Sequence, residues 1–391
     1  MTLLSDRALL ERLIAFDTTS FRSNLELAGF VADYLDRPGV RIERNPSPDG
    51  SKANLVVRAG PDLGDARDGL VLSGHMDVVP ALEDDWQSDP FALTARDGDL
   101  FARGSSDMKG FLALAINAFA RLDPETLAQP LALLFTYDEE LGTLGAKHFA
   151  ETWPAKNPLP RRTIVGEPTS LEVVRVHKGH LKYRVRFTGV AAHSGFPHLG
   201  HNALEIGAKA ILALAELGRT MREERPLHHE LFANVPFAPL NVVRASGGVA
   251  INVIPEAAEV EFGVRHLPDM DPALIEQRVR ETLDRALGGE PYVLEMEGES
   301  PPMMLPRGCE LHQHLCELTD SLDRPEPPGA SYTTDAGWFQ TLGHECVLLG
   351  PGSIEVAHKP NEFVPEGELV RGAELVERLV RDYCLSPNSR L

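Results

Sequence analysis

The sequence predicts an α/β protein: a discontinuous larger domain with a largely parallel central sheet flanked by helices, interrupted by an inserted ferredoxin-like β-α-β-β-α-β domain. Three observations predict it. Short apolar runs alternate with amphipathic helical segments through the first 175 residues. Near Val176 the pattern changes to half-exposed alternation, and from about Ser300 the first style returns. The expected parts are 1–175, 176–298 and 299–391.

In order, "SDRALLERLIAF" opens on a Ser cap with an acidic first turn, and "NLELAGFVADYLD" repeats apolar residues at helical spacing, so both read as helices. After a Pro/Gly/Asp-rich stretch, "ANLVVRAG" and "GLVLSGHMD" read as strands. A helix over "MKGFLALAINAFARL", a strand over "LALLFTYDEE", a helix over "LGTLGAKHFAET" and a strand over "RTIVGEP" follow. In the insert, the strand "HLKYRVRFTG" leads to the helix "NALEIGAKAILALAELGRTM" and the strands "PLNVVRAS" and "AAEVEFGVRHL". The helix "PALIEQRVRETLDRAL" and the strand "YVLEMEG" complete the split pattern. The last part carries a helix around "CELHQHLCELTDSL", the strand "ECVLLG" and a closing helix, "EGELVRGAELVERLVRDY".

With 391 residues, 43% hydrophobic and 25% charged, the chain can build two sizeable cores. Its first residues carry charges throughout, and no apolar run approaches the length of about 20 that spans a bilayer, so a cytoplasmic protein is expected. A formal charge of −20 repels phosphate backbones and anionic lipid, which disfavours nucleic acid and membrane partners. Four scattered cysteines suit a reducing compartment. Cys309, His312, His314 and Cys316 suggest a zinc cluster, but on a helix position 314 leaves the face shared by the other three. A helix with two half-buried thiols is expected there.

The chemistry-bearing residues fall at strand ends, where open α/β sheets bind ligands. His75 and Asp77 follow one strand, and Asp107 lies just before a helix. Glu139 and Glu140 follow a third element, Glu167 a fourth, and His358 sits after "ECVLLG". Singly, each reads equally as ordinary loop chemistry: a solvated cap for the Glu pair, a turn for "GEP". Together, five carboxylates in one cleft need a cation, and a pair of divalent metals, with zinc suited to the mixed N/O donors, meets that need. An Asp beside a His is the usual device for orienting a metal-bound imidazole.

"SGHMDVVP", "ARGSSDMKGF", "TYDEELGTLGA", "GEPTS", "GVAAHSGFPHLGHNA" and "GPGSIEVAHKPNEF" together resemble the dinuclear-zinc metallopeptidase and deacylase family, over essentially the whole chain. The resemblance implies two zinc ions per subunit, with cobalt able to substitute. His75 and Glu167 match the terminal ligands of one ion, Glu140 and His358 those of the other, and Asp107 the bridging carboxylate. Asp77 matches the residue that orients His75, and Glu139 the general base that takes a proton from the bridging water. A cis peptide from Asp107 to Met108 is also implied. In the insert, His193 matches a lid histidine that reaches the partner subunit's site, which implies a homodimer through the lid and lid closure. Asn252 and Arg265 match lid residues that hold substrate, and Thr334 and Gly352 are expected to contact substrate from the last part. The implied reaction is attack of a metal-bound hydroxide on an N-acyl amino acid. The His-Lys-Gly entry to the insert and the "TTDAGWFQTLG" ending favour the branch acting on N2-acetyl-L-ornithine. N-acetylcitrulline, other N-acetyl amino acids and N-succinyl-diaminopimelate stay open, as does a catalytically silent scaffold.

Overall fold

The computed structural model describes residues 3–386 apart from 65 and 83. The chain forms two compact units. The larger comprises Met1–Arg175, Met304–Pro327 and Thr334–Leu391; the smaller comprises Val176–Met303 and Pro328–Thr333. The smaller unit thus runs a few residues beyond the expected limit at 298 and regains a six-residue segment. That segment is held by main-chain bonds: the Lys178 N–H donates to the Ala330 carbonyl at 3.1 Å, and the Ala330 N–H to the Val176 carbonyl at 2.9 Å. So short a return carries no periodicity that a sequence reading could detect.

The larger unit is built on a six-stranded sheet in the order Val40–Pro46, Ala53–Ala59, Leu131–Thr136, Leu70–His75, Arg162–Val165, Glu345–Leu348. The last four strands are mutually parallel, while the first two pair antiparallel, so the sheet is mixed rather than uniformly parallel. Leu70–His75 and Leu131–Thr136 are buried at every position, as strands covered on both faces must be. The helix Lys109–Arg121 is buried from Lys109 to Ala120, and Ser5 caps the helix Asp6–Ile14 by accepting from the Ala8 N–H at 3.2 Å. Val40–Pro46 lies in the stretch read as Pro/Gly/Asp-rich coil. It is an edge strand of intermediate burial that ends at a proline, so it lacks the apolar run of its neighbours.

In the smaller unit the strand order is Leu240–Gly247, Ala257–Val264, His180–Thr188, Tyr292–Ser300, all antiparallel. Two helices, Ala203–Glu223 and Pro272–Leu287, separate the strands in sequence to give a β-α-β-β-α-β order. Leu181, Tyr183, Val185 and Phe187 are buried on one face. Between them, Arg184 reaches Glu261 at 2.9 Å and Arg186 reaches Glu259 at 3.2 Å on the other. Alternation of this kind is what a one-sided sheet requires.

The helix Glu310–Leu318 carries His312 and Cys316 one turn apart, with the Cys316 sulfur 3.7 Å from His312 Nε2. His314 leaves that face and meets Asp382 at 3.0 Å.

Candidate metal centre

Parallel strands deliver their carboxyl ends to the same side of a sheet, and the larger unit uses that end to collect donors. His75 is the last residue of Leu70–His75, Glu139 and Glu140 follow Leu131–Thr136, and Glu167 follows Arg162–Val165. Asp107 sits just before the helix Lys109–Arg121, joined to Met108 by a cis peptide. His358 lies in the loop after Glu345–Leu348, with φ 61°.

These side chains meet. Donor atoms of His75, Asp107 and Glu167 lie within 4.8 Å of one another, as do those of Asp107, Glu140 and His358. Asp107 therefore belongs to both trios: one oxygen is 2.9 Å from His75 Nε2 and the other 3.4 Å from His358 Nε2. His358 Nε2 is also 3.0 Å from Glu140. His75, Asp107 and Glu167 are buried, while His358 is half-exposed at the mouth.

Charge shows what these donors can hold. Burial raises the Glu139 and Glu167 carboxyls well above their ordinary value, with Glu167 and Asp107 respectively adding repulsion, and burial next to Asp107 lifts Glu140 to about 7. His358 is driven up to about 10 by its hydrogen bonds to Asp107 and Glu140. Burial opposes a charge on His75, but the bond to Asp107 outweighs it and raises that imidazole too. Glu167 Oε1 is buried with no hydrogen-bond partner among the described residues. Carboxylates this crowded, an orphaned buried oxygen and two imidazoles drawn into protonation fit two divalent cations shared through Asp107.

Bracing surrounds the donors. Asp77 accepts from the Glu139 N–H at 3.0 Å, the Glu140 N–H at 3.2 Å and the Ser20 hydroxyl at 2.9 Å. His75 Nδ1 lies 2.9 Å from the Asp77 main-chain carbonyl and 3.7 Å from its carboxylate. Asp77 thus fixes the Glu pair as well as flanking the imidazole. Sequence reasoning did not single out Glu362, whose Oε1 accepts from the Ser106 and Asp107 N–H groups at 3.0 Å each while Oε2 meets buried Arg103 at 2.8 Å. Its signal was its place in "AHKPNEF", beside His358. Asp335 was also missed. It is buried against the Thr136 hydroxyl, with one oxygen unpartnered and its carboxyl lifted to about 7 by burial.

Thr334 is fully buried and its hydroxyl accepts from the Ala336 N–H at 3.2 Å, in the turn that leads into the helix Ala336–Thr341. Gly352 has φ 89°, and a Cβ there would lie 2.2 Å from Ser106 Oγ, so only glycine lets this loop approach the one bearing Asp107. In the smaller unit His193 is exposed and its Nδ1 accepts from the Gly195 N–H at 3.0 Å. The Asn252 carbonyl accepts from the Ser194 N–H at 2.9 Å, which places Asn252 beside His193. The Arg265 guanidinium donates to Thr333 Oγ1 at 2.8 Å.

Among the described residues no helix is long and apolar enough to cross a membrane. Residues 71–382 match the model of Peptidase family M20/M25/M40. The chain is 33% identical over 371 residues to acetylornithine deacetylase of Pectobacterium carotovorum, covering 95% of this chain and 94% of that protein. It is 34% identical over 377 residues to acetylornithine deacetylase of Proteus mirabilis, covering 96% and 94%. Among solved structures it resembles an M20 family metallo-carboxypeptidase of Sulfolobus solfataricus, with TM-score 0.78 and 19% identity over 97% of this chain and 99% of that one. It also resembles a dinuclear metal-binding peptidase of Bacillus subtilis, with TM-score 0.66 and 15% identity over 97% of each. With a family match across most of its length and relatives at a third identity end to end, this chain belongs to the M20/M25/M40 peptidase family, and it is a metal-dependent amidohydrolase.

Proposed function

We propose that the protein removes the acetyl group from N2-acetyl-L-ornithine, releasing acetate and L-ornithine. The observation that carries the reading is a pair of donor trios sharing Asp107, one buried and the other opening to solvent at His358, with a further carboxylate, Glu139, beside them and outside both. The names of the relatives at 33% and 34% identity support the substrate.

His75 and Glu167 would hold one zinc ion, Glu140 and His358 the other, with Asp107 between them; cobalt suits the same donors. Such a pair supplies a nucleophilic water at neutral pH and polarises the scissile carbonyl. Glu139 takes one proton from that water as its oxygen bonds to the acyl carbon, then returns it to the departing nitrogen as the C–N bond breaks. Burial, by raising the proton affinity of Glu139, fits it to both steps. Arg265, with a side chain of fork geometry, and Asn252 would receive the substrate α-carboxylate.

The Gly195 N–H on His193 Nδ1 leaves the imidazole proton at Nε2, ready to donate to an oxyanion in the partner subunit's site. A homodimer through the smaller, lid-forming unit is supported by the edge strand Leu240–Gly247 and by exposed Val243, Val249 and Ile251. A cytoplasmic location accords with the cysteine usage.

Free-amine release from N2-acetylornithine, N-acetylcitrulline, N-acetylmethionine and N-succinyl-diaminopimelate, with and without chelator, tests the proposal. Chelator-sensitive preference for acetylornithine is expected. Preference for another substrate overturns the assignment but keeps the chemistry, and activity on none by the metal-loaded protein points to a silent scaffold. Glu139→Gln is expected to lower turnover by at least about 1000-fold while metal content is unchanged.

A further inference from the structure

The residue before the Glu pair, Asp138, has φ 51°, a left-handed conformation that aspartate adopts more readily than most side chains do. Contacts outside the donor set hold it. Asp138 is buried, and its carboxylate forms an ion pair with the ammonium of Lys52, also buried. The same ammonium donates to the Ser20 carbonyl. Ser20 in turn gives its hydroxyl to Asp77 at 2.9 Å, and Asp77 receives the Glu139 and Glu140 N–H groups. The contacts close a ring from Lys52 through Asp138, the Glu139 main chain, Asp77 and Ser20 back to Lys52. Lys52 is itself fixed, because its N–H donates to Ser47 Oγ at 3.0 Å and its carbonyl accepts from the Ser47 N–H at 2.9 Å.

We infer that Lys52 and Ser20 are positioning residues for the general base: the ring sets the main-chain conformation of residues 138–140, and hence where the Glu139 carboxylate stands. The inference rests on the assignment of Glu139 as base. Neither residue belongs to the donor trios. Lys52 and Asp138 line an open groove of about 550 Å³ bounded by Phe21, Leu141 and Leu144, so the ring is braced from the side of the loop that faces solvent. An ammonium suits the task better than a neutral donor, since it ties a carboxylate and a carbonyl at once without needing an acceptor of its own. Misplacing a catalytic group by about 1 Å costs on the order of 100-fold in rate, which is the scale expected when the ring is cut.

The test is Lys52→Met, which keeps the length and removes the charge, with Lys52→Arg as the conservative variant and Ser20→Ala as a milder cut. Lys52→Met is expected to lower kcat about 100-fold with KM within about threefold, metal content unchanged and faster amide exchange at residues 138–142. Lys52→Arg should recover part of the loss, and Ser20→Ala should lower kcat about tenfold. If Lys52→Met does not fold, Ser20→Ala decides by the same measurements. Wild-type kcat, unchanged exchange at 138–142, or a loss of kcat matched by loss of metal overturns the inference. Persistent turnover in Glu139→Gln instead overturns the base assignment, while the exchange measurement continues to report on the ring.

Discussion

At Asp107 a single carboxylate faces two imidazoles, one on each oxygen, and the rest of the site follows from that geometry. Without cations the cluster satisfies itself with protons: His358 is raised to about 10 and Glu140 to about 7 by their neighbours. A divalent ion must displace those protons in order to bind. At pH 7 and below His358 carries its proton, and Glu140 is progressively protonated as pH falls. Metal affinity should therefore rise with pH, most steeply below about 7 where both groups hold protons and still up to about 10, with protons released on binding. Calorimetry in buffers of different ionisation enthalpy checks this; heats independent of buffer would refute it. Glu362 holds the loop that aims Asp107, so Glu362→Gln, which removes the negative charge that meets buried Arg103, is expected to weaken metal binding about 10- to 100-fold. Competition with a chromophoric chelator measures that loss.

The elements of the larger unit hold the donors in place. Strands buried on both faces fix the donors, since Leu70–His75 and Leu131–Thr136 cannot slip without repacking side chains enclosed at every position. The smaller unit has a different vulnerability. His177 and His266 are buried, and burial lowers both from 6.5 to about 4; His180 is lowered further, to about 3. The unfolded chain takes up protons below about pH 6.5, whereas the folded unit does so only near pH 4. Stability contributed by the neutral imidazoles is therefore present above 6.5 and lost as pH falls toward 4, by roughly 3 kcal/mol for His177 alone. Urea unfolding of His177→Gln at pH 7.5 and 5 checks the sign: the variant should lose less stability between the two than the parent.

Over the whole molecule, a formal charge of −20 makes like-charged encounters between copies unfavourable, so self-association needs a specific apolar surface. Val249 and Ile251 are almost fully exposed at 91% and 102%, and Val243 on the adjoining edge strand is 72% exposed. Large apolar side chains left this open next to an unpaired strand edge are a liability in a monomer. Ile251→Asp is expected to turn the proposed dimer into a monomer, read by light scattering after size exclusion. A parent protein that is monomeric at micromolar concentration would refute the dimer.

What the sequence by itself determined was most of the order of the elements and a candidate donor set. Apolar runs of strand length stand out locally, and His75, Asp107, Glu140, Glu167 and His358 each sit in a short motif beside one. The tertiary structure alone decided what braces them. The edge strand Val40–Pro46 lacks an apolar run because one side of it faces solvent, and the segment Pro328–Thr333 joins the smaller unit through main-chain bonds that no side-chain pattern records. The Thr334 hydroxyl accepts from the Ala336 N–H, and Gly352 lets two loops approach. Lys52, Ser20 and Glu362 reach their partners across 32, 57 and 259 positions of chain, respectively Ser20, Asp77 and Arg103. Periodicity reads neighbours three or four residues apart on a helix and two apart on a strand. Contacts closed over such distances exist only once the sheet has brought its strand ends together.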